Sequence, residues 1–140
     1  MPSRSAPRDC PCHSGLRYAA CCGPLHDGAR EADTPEALMR SRYAAFARGL
    51  GAYLVRTLSA DHPDRAHDEA QLARALSRAK DTQRFLGLTI LHSHVDGDRG
   101  EVLFHARIFE RGADRSFTER SRFHKEPHGW RYAGQVSGDE

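Results

Sequence analysis

Gly100-Glu-Val-Leu-Phe-His-Ala-Arg-Ile-Phe-Glu110 places Val102, Phe104, Ala106 and Ile108 at every second position. A period of two sends alternate side chains to opposite faces of a strand, so this segment reads as a strand with one covered face. The alternation recurs over 85–95, 116–125 and 129–134. The links are Asp96-Gly-Asp-Arg-Gly100, Arg111-Gly-Ala-Asp114 and Glu126-Pro-His-Gly129, all short and rich in turn formers. Links of that length join antiparallel neighbours, so the second half of the chain is expected to form a curved, four-stranded antiparallel meander.

Ahead of Phe85 the period is helical. Thr34-Pro35-Glu36 offers a cap acceptor, a proline suited to the first helical position and an acid at the positive helix end. Gly49 supplies the stop. Between them Met39, Tyr43, Phe46 and Leu50 share a stripe widened by Leu38, which reads as core. A short second helix is expected over 53–58 and a third over 68–80, with Leu72 and Leu76 inward. Helices followed by a meander give an α+β architecture, with the helices packed on one face of the sheet.

The phase of the third strand matters most for chemistry. Phe117, Glu119, Ser121 and Phe123 share one face, which puts a carboxylate and a hydroxyl in line with two aromatics. A buried carboxylate needs a partner, and Arg40 or Arg42 of the first helix is expected to supply it, with Trp130 and Tyr132 walling the same space. One reading is a structural ion pair. The other is a small-molecule pocket, or a base with a raised pKa, built from Arg42, Tyr43, Glu119, Ser121 and Trp130. The sequence offers Glu119 no nucleophile or acid–base partner, so the ion pair is preferred and no catalytic residue is assigned. Glu119-Arg-Ser-Arg122 lacks phosphate-cradling glycines, and Ser121 lacks a nucleophile-elbow pattern. His92, His94, His105 and His124 lie on neighbouring strands, where a second metal site is conceivable but surface histidines are commoner.

With 140 residues the chain fits one compact domain plus an appendage. A net charge of +2, from 21 basic and 19 acidic residues scattered along the chain, gives no clear nucleic-acid signal. No apolar run approaches the roughly 18 to 20 residues of a membrane span. Met1-Pro-Ser-Arg-Ser-Ala-Pro-Arg8 has no apolar run to direct export. The expectation is a soluble, cytoplasmic protein.

All four cysteines lie in one short segment, as Cys10-Pro-Cys12 and Cys21-Cys22. Four thiolates about 2.3 Å from one ion form the closed tetrahedral shell of structural zinc, with no coordination position left for substrate. Disulfides are the competing account. Neighbouring cysteines disfavour them, because consecutive Cα atoms are about 3.8 Å apart and a relaxed bridge wants about 5.5 to 6 Å. A cross-bridge such as Cys10 to Cys21 stays open on geometry, although it needs an oxidising compartment. Ser14-Gly15 is expected to turn the chain after the first pair and Gly23-Pro24 to stop it after the second. Arg8 and Arg17 are placed to temper the thiolate charge. His13 and His26 are read as solvated, with all four sulfurs available as ligands. Asp27-Gly-Ala-Arg-Glu-Ala-Asp33 reads as a connection, which divides the chain into a finger over 1–29 and an α+β domain over 30–140.

The segment from Cys10 to Gly23 resembles the SEC-C motif, the small zinc finger best known from the end of the bacterial translocation ATPase SecA. Its usual form is Cys-x-Cys-x-Ser-Gly, a spacer, then Cys-Cys or Cys-His. Here His13 occupies a customary glycine position, and the usual lysine-rich spacer is reduced to Arg17. A longer resemblance runs through Gly23-Pro-Leu-His-Asp-Gly28, Glu36-Ala-Leu-Met-Arg-Ser-Arg-Tyr-Ala-Ala-Phe46, Phe85-Leu-Gly-Leu88, Glu119-Arg-Ser-Arg-Phe123 and Gly129-Trp-Arg-Tyr132. These segments are similar to the YchJ family of bacterial proteins. That family joins a SEC-C finger to a cone-shaped α+β domain of the nuclear-transport-factor-two-like superfamily. Many members carry a second finger at the C-terminus, and this chain reads as the short version. Thr118 stands where a histidine commonly precedes the glutamate.

The resemblance implies one structural zinc per chain, held by Cys10, Cys12, Cys21 and Cys22. It carries no established activity. By analogy with the SecA finger, which engages the chaperone SecB and the ribosome, it implies an adapter that docks on a protein or ribosomal partner. The superfamily also includes steroid isomerases, dehydratases and binding modules, so the alternative is a small ligand or an enzymatic role in the cone interior.

Overall fold

The computed structural model describes residues 9–136; Met1–Arg8, and with it the charge expected from Arg8, lies outside the described residues. The chain begins with the cysteine segment, in which Asp9 and Arg17 bridge and a single 3-10 turn spans Tyr18–Ala20. Gly23-Pro24 does not stop the chain. Proline there occupies the first turn of α1 (Gly23–His26), where its missing N–H costs nothing.

The main helix, α2 (Pro35–Arg48), starts and ends as its sequence predicts. The Thr34 hydroxyl accepts from the Ala37 amide at 3.0 Å, and Gly49 takes the left-handed conformation (φ 73°) that closes the helix. The next helix, α3 (Gly51–Arg56), begins two residues earlier than expected. Gly51 lies inside it because the neighbouring helix approaches so closely that a Cβ would collide with the Ala73 carbonyl. The expected helix over 68–80 is two, α4 (Glu69–Ser77), capped by Asp68, and α5 (Ala79–Thr82), separated at Arg78.

The meander consists of β1 (Gln83–Asp96), β2 (Arg99–Glu110), β3 (Ala113–Asp114), β4 (Phe117–Glu126) and β5 (Gly129–Gln135). The order is β1-β2-β4-β5, all antiparallel, so the four expected strands form the main path. The two-residue β3 pairs with β2 from within the predicted turn. Arg111 and Gly112 both have positive φ (53° and 83°), the backbone of a tight two-residue hairpin.

The register of β2 on β4 sets Val102 opposite Ser121 and Phe104 opposite Glu119. Opposite residues share a face, so the apolar face of β2 and the mixed face of β4 enclose one interior with α2. Leu38, Leu54, Val102 and Phe123 are fully buried there, and removing such side chains from water stabilises the fold by about 1.5 to 3 kcal/mol each. Trp130 is buried beside Gly100, which Pro35 also approaches, at the end of the interior where α2 begins. The connection after the finger is tied down, since the Glu31 carboxylate accepts from Arg56 and from the buried Arg131, each at 3.0 Å. Among the described residues no helix is long and apolar enough to cross a membrane.

Candidate functional site

Two places collect chemistry. In the first, the Sγ atoms of Cys10, Cys12, Cys21 and Cys22 all lie within 4.8 Å of one another. Cys12 and Cys21 are 3.6 Å apart and Cys21 and Cys22 3.9 Å, far longer than a disulfide. Four sulfurs about 2.3 Å from a tetrahedral centre would stand about 3.8 Å apart, so the donor set and its spacing fit a metal ion. Ser14 holds the turn: its hydroxyl oxygen accepts from the Leu16 amide at 3.1 Å and lies 3.2 Å from the Cys21 sulfur. Within the cluster, hydrogen bonds from Cys10 and then Cys22 lower the Cys12 pKa, while the same contacts raise those of Cys10 and Cys22, so Cys12 is the thiol that ionises first. A thiolate is the form that binds metal. No other group of three or more metal-ligating side chains is clustered among the described residues, so His92, His94, His105 and His124 do not converge.

The segment is docked on α2. Ala44, fully buried, packs with Cys10, Cys12 and Cys22. Arg40 donates to the Cys12 carbonyl at 3.1 Å, so this arginine from α2 approaches the cluster while Arg17 stays exposed. His13 is exposed but not purely solvated. It adopts the left-handed conformation (φ 64°) for which the family's usual glycine is suited, and its Nε2 lies 3.2 Å from the Phe85 carbonyl. His26 is a correction, being half-buried between the two parts. Its Nε2 faces the Ser41 carbonyl at 2.8 Å and must carry the proton, so Nδ1 accepts from the Tyr18 hydroxyl at 2.6 Å. Burial lowers its pKa. Nothing in the local pattern around His26 marks it, because Ser41 and Tyr53, the groups it packs on, belong to other helices.

The second place is the interior of the α+β domain, which holds a cavity of about 290 Å³. Arg42, Tyr43, Glu119 and Ser121 line it, together with Tyr132. Trp130 does not, because it lies beside Gly100 at the other end of α2. Exposure grows along the mixed face of β4: Phe123 and Ser121 are buried, Glu119 is half-buried and Phe117 is 40 % exposed, so the cavity opens toward Phe117. Met39 and Phe46, expected as core, do pack in the main hydrophobic cluster, and both also line the cavity with Phe85, Phe104 and Phe117. The pairing of Phe104 with Glu119 was the signal that could have placed one of them there.

The expected ion pair of Glu119 with Arg40 or Arg42 does not form. Arg40 turns to Glu36 at 3.6 Å. Arg42 donates from Nη1 to the Leu54 carbonyl at 2.7 Å and to Thr57 Oγ1 at 2.6 Å, with its guanidinium 4.6 Å above the Tyr132 ring. The free carbonyls at the C-terminal end of α3 attract a cation, and Arg42 lies within reach of them. Glu119 instead accepts from the Ser121 hydroxyl at 2.8 Å. Burial, and next the Glu119 charge, raise the Tyr132 phenol. Tyr43 is also committed: its hydroxyl donates to the Gly87 carbonyl at 2.9 Å and accepts from the Gly87 amide at 3.0 Å, filling a bulge in β1.

Comparison with known proteins matches both parts. Residues 34–135 fit the model of the YchJ middle domain, which is nuclear-transport-factor-two-like, and residues 9–24 fit the SEC-C motif. A UPF0225 protein of Deinococcus radiodurans is 44 % identical over 119 residues, covering 83 % of this chain and 79 % of the relative. The UPF0225 protein YchJ of Shigella dysenteriae serotype 1 is 41 % identical over 125 residues, covering 88 % and 79 %. The solution structure of a SEC-C motif containing protein from Rhodopseudomonas palustris superposes with a TM-score of 0.78 at 40 % identity, covering 93 % of this chain and 98 % of that one. With the SEC-C segment in front and the matched α+β domain behind it, the chain belongs to the YchJ family.

Proposed function

We propose that the protein binds a small molecule in the cavity between α2 and the sheet, and that the cysteine segment is a structural zinc finger bracing α2. The observation that carries the first part is the open interior. A concave, mostly apolar space with a few polar groups is the usual form of a ligand site, and here Arg42, Glu119 and Ser121 sit among phenylalanines beside an opening at Phe117. A filled interior would have favoured a purely docking role. No catalytic residue is assigned.

Zinc is the metal proposed because four thiolates suit it and would close its shell, leaving a structural role at one ion per chain. Unpaired thiols suit a reducing compartment, so the proposed location is the cytoplasm. The proposed division remains a finger over 1–29 and an α+β domain over 30–140, the two joined by the contacts of His26 and Arg40.

The test is a ligand-observed NMR screen of a fragment library against the wild-type chain and an Ala106→Phe variant, since Ala106 lines the cavity and a phenyl group there would fill it. Fragments that bind the wild type and lose binding in the folded variant support the reading. Fragments that bind both equally contradict it.

Docking of a protein or ribosomal partner through the finger is the second reading. The matched SEC-C motif is what supports it, by analogy, and Leu16 is the large apolar side chain exposed on that segment. Leu16→Glu should then abolish capture of ribosomes or partner while leaving the fold intact; undiminished capture contradicts it.

A further inference from the structure

The polar groups of the cavity are not equally satisfied. Among the described residues two arginines are almost wholly buried, Arg42 and Arg131, 6 % and 5 % exposed. Arg131 lies away from the cavity, and the fold supplies it with the Glu31 carboxylate at 3.0 Å. Arg42 lines the cavity and has no carboxylate within ion-pair distance among the described residues. Both of its hydrogen bonds leave from Nη1, to neutral oxygens, and Nε and Nη2 have no hydrogen-bond partner among the described residues. The one acid that lines the same space, Glu119, is engaged by Ser121 instead.

Asp64 acts on Arg42 only from beyond ion-pair distance, and a buried guanidinium without a paired anion is costly unless something completes it. Two neutral acceptors and the face of Tyr132 offset part of that cost. Burial lowers the Arg42 pKa to about 10, which still leaves the side chain charged at neutral pH. A planar carboxylate matches the two unfilled donor positions of a guanidinium.

We infer that the ligand of this cavity is a small organic monoacid, its carboxylate received by Arg42 and its apolar body held among Phe46, Phe85, Phe104 and Phe117. This rests on the reading of the cavity as a ligand site. Size follows from volume: about 290 Å³ corresponds to about ten waters at about 30 Å³ each, so the ligand has on the order of ten non-hydrogen atoms. Glu119 lines the same cavity, beside Tyr132. A hydroxyl or amine there can donate to its carboxylate, whereas a second acid group would meet like charge.

The test uses the full-length chain with its metal bound and isotopically labelled. The probes are 4-hydroxybenzoate, 4-hydroxyphenylacetate and hexanoate, each paired with its primary amide, plus adipate as a diacid. Binding is read by NMR titration, including the Arg42 Nε–Hε resonance, so no destabilised variant is needed. The expected result is that at least one monoacid binds about tenfold or more tightly than its amide, shifts the Arg42 resonance and outcompetes adipate. That ratio is the one expected when a charge-assisted hydrogen bond replaces a neutral one. Amides that bind as tightly as acids, with shifts on Phe104 and Tyr132, overturn the monoacid inference while the cavity reading stands. Acids that perturb only surface resonances overturn the inference as well. Titrations in which no probe moves a cavity resonance overturn both.

Discussion

The Arg42 guanidinium and the Thr57 hydroxyl are 2.6 Å apart, a contact that fixes the cation over Tyr132 and away from Glu119. Thr57 is fully buried, and its hydroxyl in turn donates to the Tyr53 carbonyl at 2.9 Å. Thr57→Val keeps the shape and removes the acceptor. The expected cost is about 1 to 3 kcal/mol, because a buried donor on a charged group loses a partner. Urea denaturation measures it, and an unchanged midpoint would show that the contact does not hold Arg42.

Tyr43→Phe tests the bulge in β1. Loss of the hydroxyl takes a partner from both the amide and the carbonyl of Gly87, which Tyr43 reaches across 44 residues of sequence. We expect a loss of about 1 to 3 kcal/mol, with faster hydrogen exchange concentrated at Gly87 and its β1 neighbours. Uniformly faster exchange would argue against a local role.

The legible part of this molecule was local or periodic. The alternation of Val102, Phe104, Ala106 and Ile108 gave the covered face of β2, and all four are buried. Thr34 and Gly49 bounded α2, and the spacing of the cysteines gave their convergence. What was misread depends on contacts between distant segments. Gly51 looks like a loop residue until Ala73 is packed against it. His26 looks solvated until Ser41 and Tyr18 flank it. The phase of β4 correctly put Glu119 on the inner face. It could not tell that Arg42 is drawn to the end of α3, nor that Trp130 lies beside Gly100. An interior left open is harder still to read, since Met39 and Phe46 fit a core stripe equally well.

Acid sensitivity falls in two windows, the upper set by His26 and His62, whose pKa values burial lowers, and the lower by carboxylates such as Glu31. His26 has a folded pKa lowered by burial below its unfolded value of 6.5, so the folded state prefers it neutral. Its contribution is complete above 6.5 and declines as pH falls below that value. Burial alone would raise the Glu31 pKa, but hydrogen bonds and charge from Arg131 and Arg56 hold it below 4.5. Its contribution is present above 4.5 and is lost as pH falls through the folded value. Stability measured against pH should decline first below about pH 6.5 and again below about pH 4.5. In His26→Gln the first decline should shrink. If the variant retains it in full, His26 is not its source.

Metal removal should act on α2 before it acts on the sheet. Elemental mass spectrometry of anaerobically purified protein is expected to give one zinc per chain, absent from a Cys10→Ser, Cys22→Ser variant. Because Ala44, Ser41 and Arg40 contact the cysteine segment, chelation should expose the amides of that stretch to exchange. The fully buried Val102 and Phe123 should stay protected. Full protection of α2 without metal would show that the finger is not a brace.

The account turns on whether the space between α2 and the sheet is truly open. Xenon enters apolar cavities of this kind, so NMR spectra of the labelled protein under xenon pressure test the opening whatever the natural ligand is. The account predicts shifts concentrated on the methyl groups of Met39, Ala106 and Ile108. Spectra in which those methyls do not move would mean a filled interior, and would contradict the proposed function.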